Sequence, residues 1–179
     1  MANVFNDLLL SADECYVLAL CLLDFTAAFD TVDHELLYVW NVSSEYVLSH
    51  CSASFRSYLS GRSFQVLYGG SMSSCVIMLC SVPQGSVLGL RLFILYTADL
   101  TDVANEHHVS IHMFADDTQL YVHCGRDNTA STITRLEQCI MDINYWMSAN
   151  RLKLNMDKTE LIWTGTKYSV TAGSQVSRL

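Results

Sequence analysis

The stretch Phe114-Ala115-Asp116-Asp117 decides how this chain of 179 residues is interpreted, because of the sequence on either side of it. Residues 109–113 and 118–122 both alternate between apolar and polar side chains, which is the period of a β-strand. The four residues then occupy the tip of a β-hairpin, a rigid position from which two carboxylates can be aimed. Adjacent aspartates are common by chance, so the pair is informative only through this context.

A third carboxylate lies far upstream, at the end of an apolar run. Residues 17–23 are all apolar, and Asp24 follows them directly. This run predicts a buried strand over residues 16–23. If that strand pairs beside the hairpin, the carboxylates of Asp24, Asp116 and Asp117 converge. Three converging carboxylates form a site for divalent metal ions, which prefer oxygen ligands.

The composition indicates a single domain with a large core. Hydrophobic residues make up 51% of the chain, yet charged or polar residues interrupt every apolar run before it reaches a membrane-spanning length. The seven cysteines are scattered, and the N-terminal residues lack a basic signal segment, which predicts an intracellular chain with reduced thiols. Whether it resides in the cytoplasm or the nucleus is open. The high apolar content also predicts a surface covered by a protein partner, and no association with membranes.

Charge is distributed unevenly along the chain. Residues 1–55 contain eight acidic residues and no Lys or Arg, whereas the rest of the chain contains ten acidic and ten basic residues. Enzymes that act on nucleic acids usually present a basic groove. The sequence shows no such concentration of basic residues.

Sequence patterns predict an α+β fold in which an antiparallel sheet is backed by helices. The predicted domain covers residues 16–164, between a short N-terminal segment over 1–15 and a disordered tail over 165–179. Predicted helices cover residues 26–40, 44–59, 83–100 and 131–149, and residues 4–14 are predicted to form a short helix or a frayed segment. Predicted strand pairs are 63–69 with 75–81, 109–113 with 118–122, and 152–155 with 160–164.

Four ordered motifs give the chain a specific resemblance. They are Leu23-Asp24-Phe25-Thr26-Ala27-Ala28-Phe29-Asp30, Val82-Pro83-Gln84-Gly85-Ser86-Val87-Leu88-Gly89, Phe114-Ala115-Asp116-Asp117, and Asn150-Arg151-Leu152-Lys153-Leu154-Asn155-Met156-Asp157-Lys158. In order and spacing they resemble the catalytic motifs of reverse transcriptases from LINE-type (non-long-terminal-repeat) retrotransposons. The resemblance covers about residues 16–164.

The resemblance implies a polymerase palm with the fingers and thumb largely missing. Residues 1–23 contain no Lys or Arg, where the family has basic finger motifs, and the sequence ends soon after the fourth motif. The implied activity is RNA-directed DNA polymerisation, in which deoxynucleotides are added to the 3′-hydroxyl of a DNA primer on an RNA template. The implied cofactors are two Mg²⁺ ions, or Mn²⁺, which activate the hydroxyl and neutralise the leaving pyrophosphate.

The resemblance also assigns the catalytic residues. Asp24 and Asp116 are implied to be the principal metal ligands and Asp117 an auxiliary one, while Lys158 is implied to protonate pyrophosphate. From the residues alone, an N-cap for a helix beginning at Thr26 is the favoured interpretation of Asp24. Lys158 is equally compatible with a solvated lysine in a turn.

Four further residues are implied to contact the incoming nucleotide: Phe25, Phe29, Gln84 and Gly85. Phe29 occupies the position of the ring that excludes a ribose 2′-hydroxyl, so the resemblance implies selection of deoxynucleotides. The alternative from periodicity is a core aromatic residue. Gln84 and Gly85 are implied to contact the nucleotide and to let the backbone approach it, and the alternative for both is an ordinary helix start.

Departures from the family pattern support a second hypothesis for function. The family usually has Gly at position 81 and Pro-Leu at positions 90–91, whereas this chain has Ser81, Leu90 and Arg91. Burial of an unpaired Arg91 would be costly. The alternative to a polymerase is therefore a non-catalytic, truncated remnant acting, if at all, as a folded interaction module. An RNA-dependent RNA polymerase is disfavoured by the ring at Phe29.

Overall fold

The computed structural model describes residues 17–43, 52–165 and 176–178. The chain divides into two compact units, one formed by residues 1–26 with 98–179 and the other by residues 27–97. The strands are β1 (Val17–Leu23), β2 (Ser63–Phe64), β3 (Leu67–Tyr68), β4 (Ser71–Met72), β5 (Val76–Ile77), β6 (Ser110–Phe114), β7 (Asp117–Cys124), β8 (Glu160–Gly165) and β9 (Val176–Arg178). The helices are α1 (His34–Ser43), α2 (Ser52–Leu59), α3 (Val87–Tyr96), α4 (Leu100–Glu106) and α5 (Thr129–Ala149).

The first unit is built on a five-stranded sheet with the order β6-β7-β1-β8-β9, in which neighbouring strands are antiparallel. The apolar strand β1 lies at the centre, where neighbours on both edges satisfy its backbone hydrogen bonds. The predicted strand over 16–23 and the predicted hairpin over 109–123 are both confirmed. The sheet and the flanking helices confirm the α+β class.

Helix α5 is the main helix that backs this sheet. The residues of its apolar face recur every three or four positions, and most of them are buried. Those buried are Thr132, Leu136, Cys139, Ile140, Ile143 and Met147. The helix contacts both α4 and β7. The predicted helix over 131–149 is thus confirmed, with its start two residues earlier.

In its described residues, the second unit contains three α-helices, a 3₁₀ turn and two short pairs of strands. Strand β2 pairs with β5, which agrees with the predicted pairing of 63–69 with 75–81. Strand β3 pairs with β4 around Gly69 and Gly70, so Leu67 and Tyr68 pair with residues that precede the predicted partner segment. This region leaves many large apolar side chains exposed. They are Phe64, Val66, Leu67, Tyr68, Met72, Val76, Ile77 and Leu79. Their exposure is compatible with the predicted protein partner, which remains a prediction.

Two predicted helices have the wrong boundaries. The helix predicted over 26–40 begins only at His34, because Ala27 has a left-handed φ of 48° and residues 28–30 form a 3₁₀ turn. The helix predicted over 83–100 is split into α3 and α4, and α3 begins after the N-cap Ser86 rather than at Pro83.

In the described residues no helix has the length and apolar character that crossing a membrane requires.

The hairpin predicted for 152–155 with 160–164 is wrong, because both segments lie along one edge of β1. Leu22 pairs with Glu160, and Phe25 pairs with Leu154. If the β1–β8 ladder continued unbroken, residue 157 would lie opposite Phe25. Leu154 lies there instead, so the segment between the two pairings has three extra residues, which form a bulge. The bulge contains the 3₁₀ turn Met156–Lys158.

Other expectations concern regions that are described only in part. The predicted helix over 4–14 lies outside the described residues, as does the first half of the helix predicted over 44–59. Part of the tail predicted to be disordered, Val176–Arg178, pairs with β8 as strand β9 and so gains backbone hydrogen bonds. Arg91 is exposed, so the cost of burying its guanidinium does not arise.

Candidate active site

The backbone register places Asp24 beside the hairpin that carries the aspartate pair. The last pairing between β1 and β7 joins Leu23 to Thr118. Asp24 follows Leu23 directly and Asp117 precedes Thr118 directly, so both leave this pairing at the same end of the sheet. Opposed residues of an antiparallel pair have Cα atoms about 4.5–5.5 Å apart. Asp24 and Asp117 are therefore neighbours.

The hairpin tip has a strained backbone. Phe114 pairs with Asp117, so Ala115 and Asp116 form a two-residue loop. Ala115 has a φ of 58°, a left-handed conformation that costs an L-residue about 1–2 kcal/mol. Such strain persists where the surrounding structure imposes it, and it is concentrated at functional sites. Here it immediately precedes the candidate ligand Asp116, which is partly exposed.

The carboxylate of Asp24 is held by the bulge along β1. Its Oδ2 atom accepts a hydrogen bond from Asn155 Nδ2 at 2.9 Å and lies 3.7 Å from Lys158 Nζ. The side chain of Asp24 is 43% exposed and that of Lys158 is 70% exposed. An ion pair between side chains this exposed contributes only about 0–1 kcal/mol to stability. The pair is informative because it shows where the two residues lie. It brings the fourth motif to the first.

The two sequence-based alternatives for these residues have different outcomes. Asp24 is not the N-cap of a helix at Thr26, because no helix begins there and Thr26 instead donates its backbone N–H to Lys153 O at 2.8 Å. Lys158 lies in a turn, and it is also paired with the candidate ligand.

The carboxylates have the chemistry of a hard-cation site, but their side chains do not form a ready-made cage. Aspartate oxygens are the ligands that Mg²⁺ and Mn²⁺ prefer, and three of them occur at one end of the sheet. Within the described ranges, however, no three His, Cys, Asp or Glu side chains are grouped closely enough to hold a metal ion. The three carboxylates have the donor chemistry of Mg²⁺ or Mn²⁺ ligands, and their role as metal ligands remains a prediction.

The residues predicted to contact nucleotide are divided between the two units. Phe25 belongs to the first unit, is 6% exposed, and pairs with Leu154. Phe29 belongs to the second unit, where its ring stacks on Phe93 with 4.7 Å between centroids. This buried stacking gives Phe29 the structural role that its periodicity predicts, beside the role that the resemblance implies.

Gln84 and Gly85 form a turn that precedes α3, and both are exposed. Ser86 N donates to Pro83 O at 3.3 Å, and Gly85 has a φ of 80°, as in a type II turn. Because that conformation favours glycine, Gly85 has a structural reason to be present that is independent of nucleotide. Their contact with nucleotide remains a prediction.

Ser86 is a residue that sequence reasoning passed over. Its Oγ donates to Pro83 O at 2.8 Å and accepts the N–H of Gly89 at 2.9 Å, which caps α3. It also lies 2.9 Å from Tyr58 Oη. A Cβ atom at position 89 would lie 2.2 Å from Pro83 O, so the second motif needs its last glycine for packing. A serine two residues after a Pro-Gln pair was the available signal.

Two other aspartates, Asp30 and Asp33, lie in or just after the first motif. Asp30 is exposed, as expected of a surface carboxylate. Asp33 is instead buried, at 6% exposure. Its Oδ1 accepts the backbone N–H of Leu36 at 3.0 Å, so it caps α1.

Burial perturbs two thiols of the first unit. It raises the pKa of Cys21 on β1 to about 12, and the neighbouring Cys139 on α5 adds to the effect. Burial likewise raises the pKa of Cys139 to about 12, with a further contribution from Asp142. Both thiols stay protonated and apolar in the folded core. The cysteines within the described ranges are free thiols.

A family comparison identifies the class of protein. A model of the reverse transcriptase (RNA-dependent DNA polymerase) family matches residues 11–171. The chain therefore belongs to the reverse transcriptase family, whose members are nucleotidyltransferases.

Similar curated proteins come from mobile elements of flies. The chain is 32% identical over 143 residues to the probable RNA-directed DNA polymerase from transposon BS of Drosophila melanogaster, a match covering 76% of the chain and 15% of that relative. It is 39% identical over 105 residues to the RNA-directed DNA polymerase from mobile element jockey of Drosophila funebris, covering 54% and 11%. The jockey polymerase of Drosophila melanogaster is 30% identical over 143 residues, again covering 76% of the chain and 15% of the relative. These relatives confirm the resemblance to LINE-type reverse transcriptases, and the matched part of the chain spans 11–15% of their length.

Proposed function

We propose that this chain forms the palm of an RNA-directed DNA polymerase, which extends a DNA primer on an RNA template with deoxynucleoside triphosphates. The observation that carries the proposal is the β1–β7 register, which brings Asp24 to the end of the hairpin bearing Asp116 and Asp117. That register depends on pairing between segments far apart in the chain. The family membership gives the resulting arrangement its chemistry.

Asp24, Asp116 and Asp117 would hold two Mg²⁺ or Mn²⁺ ions in this proposal. Bound metal would stabilise the charge that develops on the phosphoryl group during transfer. The chain's own contribution is to keep three acceptor carboxylates at one end of a sheet whose central strand is buried. Lys158 lies 3.7 Å from Asp24 Oδ2, so its ammonium is available near the proposed ligands to donate a proton to pyrophosphate.

The residues of the second unit would serve the nucleotide. Phe29 is assigned to exclusion of the ribose 2′-hydroxyl, and its stacking on Phe93 would keep the ring rigid enough for a steric role. Gln84 and Gly85 are exposed at the turn before α3, where a polar side chain and an open backbone are accessible to substrate. These assignments rest on the family motifs rather than on contacts with a ligand.

Primer extension tests the proposal directly. The purified chain is incubated with an RNA template, an annealed DNA primer, deoxynucleotides and Mg²⁺ or Mn²⁺, alongside Asp116→Ala. Asp127→Ala is the matched control, because Asp127 is an exposed aspartate that follows the far end of β7. The proposal expects extension by the wild-type and control chains and only background from Asp116→Ala. Equal background from all three would contradict it.

The second candidate is a non-catalytic remnant, and one observation favours it. Ser81 has a φ of 92°, a conformation that suits glycine, at the position where the family usually has glycine. Loss of that glycine would be a mark of a sequence no longer selected for stability. The same primer-extension assay separates the two candidates.

A further inference from the structure

We infer that Asn155 is a positioning residue for the proposed metal site, holding the carboxylate of Asp24 in place through a neutral hydrogen-bond donor. The inference rests on the proposed function, since it assigns Asp24 as a metal ligand. It depends on the contacts of the bulge between Leu154 and Glu160.

Asn155 contacts Asp24 twice, through its backbone and through its side chain. Asn155 N donates to Asp24 O at 2.8 Å, and Asn155 Nδ2 donates to Asp24 Oδ2 at 2.9 Å. The first bond places the backbone of Asp24 just beyond the end of β1. The second restricts rotation of its carboxylate. Asn155 therefore sets both the position and the orientation of the candidate ligand.

Asn155 is itself held by the bulge. Its carbonyl oxygen accepts the hydroxyl of Thr159 at 3.0 Å and the backbone N–H of Lys158 at 3.2 Å. Thr159 is fully buried, so this anchor belongs to the core of the unit. The donor that orients Asp24 is thus built on a supported backbone, as a residue that orients a metal ligand should be.

The amide differs from the lysine that approaches the same oxygen. Lys158 is a cation and offsets the negative charge of Asp24, so it competes with a metal ion for that carboxylate. An amide N–H restricts the carboxylate and leaves its charge intact for the metal. The two residues are therefore expected to affect metal affinity in opposite directions, although both contact Oδ2.

Mn²⁺ titration of the full chain, followed by the EPR signal of the free ion, tests this assignment. Asn155→Ala removes the donor, and Asn155→Leu removes it while keeping a side chain of similar volume. Loss of a group that orients a metal ligand weakens metal binding by about 10–100-fold, and both variants are expected to show this. Lys158→Ala is expected to bind Mn²⁺ more tightly than the wild-type chain, because the competing ammonium is removed.

Thr159→Val controls for general loss of stability. It removes the bond that anchors the Asn155 carbonyl but leaves the Nδ2 donor in place. Thermal unfolding without metal gives the Tm of each variant. If Asn155→Ala and Thr159→Val have similar Tm values, a difference in their Mn²⁺ affinity is attributable to the amide. Asp24→Asn shows the level that remains when the ligand itself is lost.

The outcomes separate this inference from the proposed function. If the wild-type chain binds Mn²⁺ and both Asn155 variants bind it equally well, the role of Asn155 is refuted while the proposed metal site stands. Equal weakening by Lys158→Ala and Asn155→Ala would show that any disturbance of the bulge weakens the site, and would also overturn the assignment. If the wild-type chain shows no saturable Mn²⁺ binding, both the role of Asn155 and the proposed metal site are refuted.

Discussion

The substitution Ser81→Gly is expected to stabilise the protein, against the usual effect of introducing glycine. Ser81 has a φ of 92°, far into the region that L-residues avoid. Its backbone is held there by bonds on both sides, since Ser81 N donates to Val32 O at 2.8 Å and Ser81 O lies 2.7 Å from His34 Nε2. The fold imposes the conformation, and the side chain bears the strain.

The magnitude follows from two opposing terms. A left-handed conformation costs an L-residue about 1–2 kcal/mol, which glycine does not incur. Glycine in turn makes the unfolded chain more flexible, which costs about 0.4–1 kcal/mol. The difference is a net gain of about 0–1.6 kcal/mol in the free energy of unfolding, centred near about 0.8 kcal/mol. For a chain of this size, that gain raises Tm by about 1–4 °C.

Urea unfolding followed by circular dichroism measures the difference, and two controls define its origin. Ser57→Gly lies on the exposed side of α2, where the same substitution is expected to cost about 0.5 kcal/mol. Gly61→Ala reverses the change at a φ of 67° with no atom within 4 Å of the new Cβ, so it is expected to lose about 0.5–1 kcal/mol. A midpoint for Ser81→Gly at or below that of the wild-type chain would refute the strain argument.

Two further predictions concern packing and titration. Gly89→Ala is expected to destabilise the chain by about 1–3 kcal/mol in the same urea assay, because its Cβ would overlap a backbone oxygen, whereas Gly125→Ala, with open space around it, should change stability by less than about 1 kcal/mol. At pH 8, mass spectrometry after alkylation should find Cys75 modified and both Cys21 and Cys139 protected. The free energy of unfolding should also fall as pH rises from about 9 toward 12. In that range the two thiols lose their protons in the unfolded chain before they do so in the folded chain. Each thiol contributes a slope of up to about 1.4 kcal/mol per pH unit. Rapid modification of Cys139, or a flat pH profile, would contradict the burial assigned to these thiols.

The elements that could be predicted from the sequence are those whose spacing of apolar residues follows directly from which face is buried. The alternation on both sides of Asp116 and the apolar run before Asp24 specify strands, because a sheet buries alternate residues or whole central strands. Helix α5 is specified for the same reason, by apolar residues one turn apart. These elements place Asp24 near the hairpin, so the neighbourhood of the candidate carboxylates was predictable.

The parts that sequence could not predict depend on long-range register. Phe29 and Val32 have helical spacing and are both buried, yet Phe29 lies in a 3₁₀ turn and Val32 in the segment that connects this turn to α1. Spacing alone does not distinguish this arrangement from a helix. The residues Met156-Asp157-Lys158 have the composition of a turn, and a turn forms there. Whether the chain reverses or bulges at that turn is decided by its pairing with β1. Asn155 contacts Asp24 because the chain bulges at this turn and continues along β1.

The two observations that favour different functions occur in different compact units. The strain at Ser81 belongs to residues 27–97, whereas the arrangement of Asp24, Asp116 and Asp117 belongs to the sheet of the other unit. Loss of a preferred glycine in one unit lowers stability without itself altering a ladder in the other. A chain can therefore carry a mark of relaxed selection and still retain the ligand geometry of a polymerase. Stability measurements alone cannot decide between enzyme and remnant, and the Mn²⁺ affinity set by Asp24 and Asn155 is the more discriminating property.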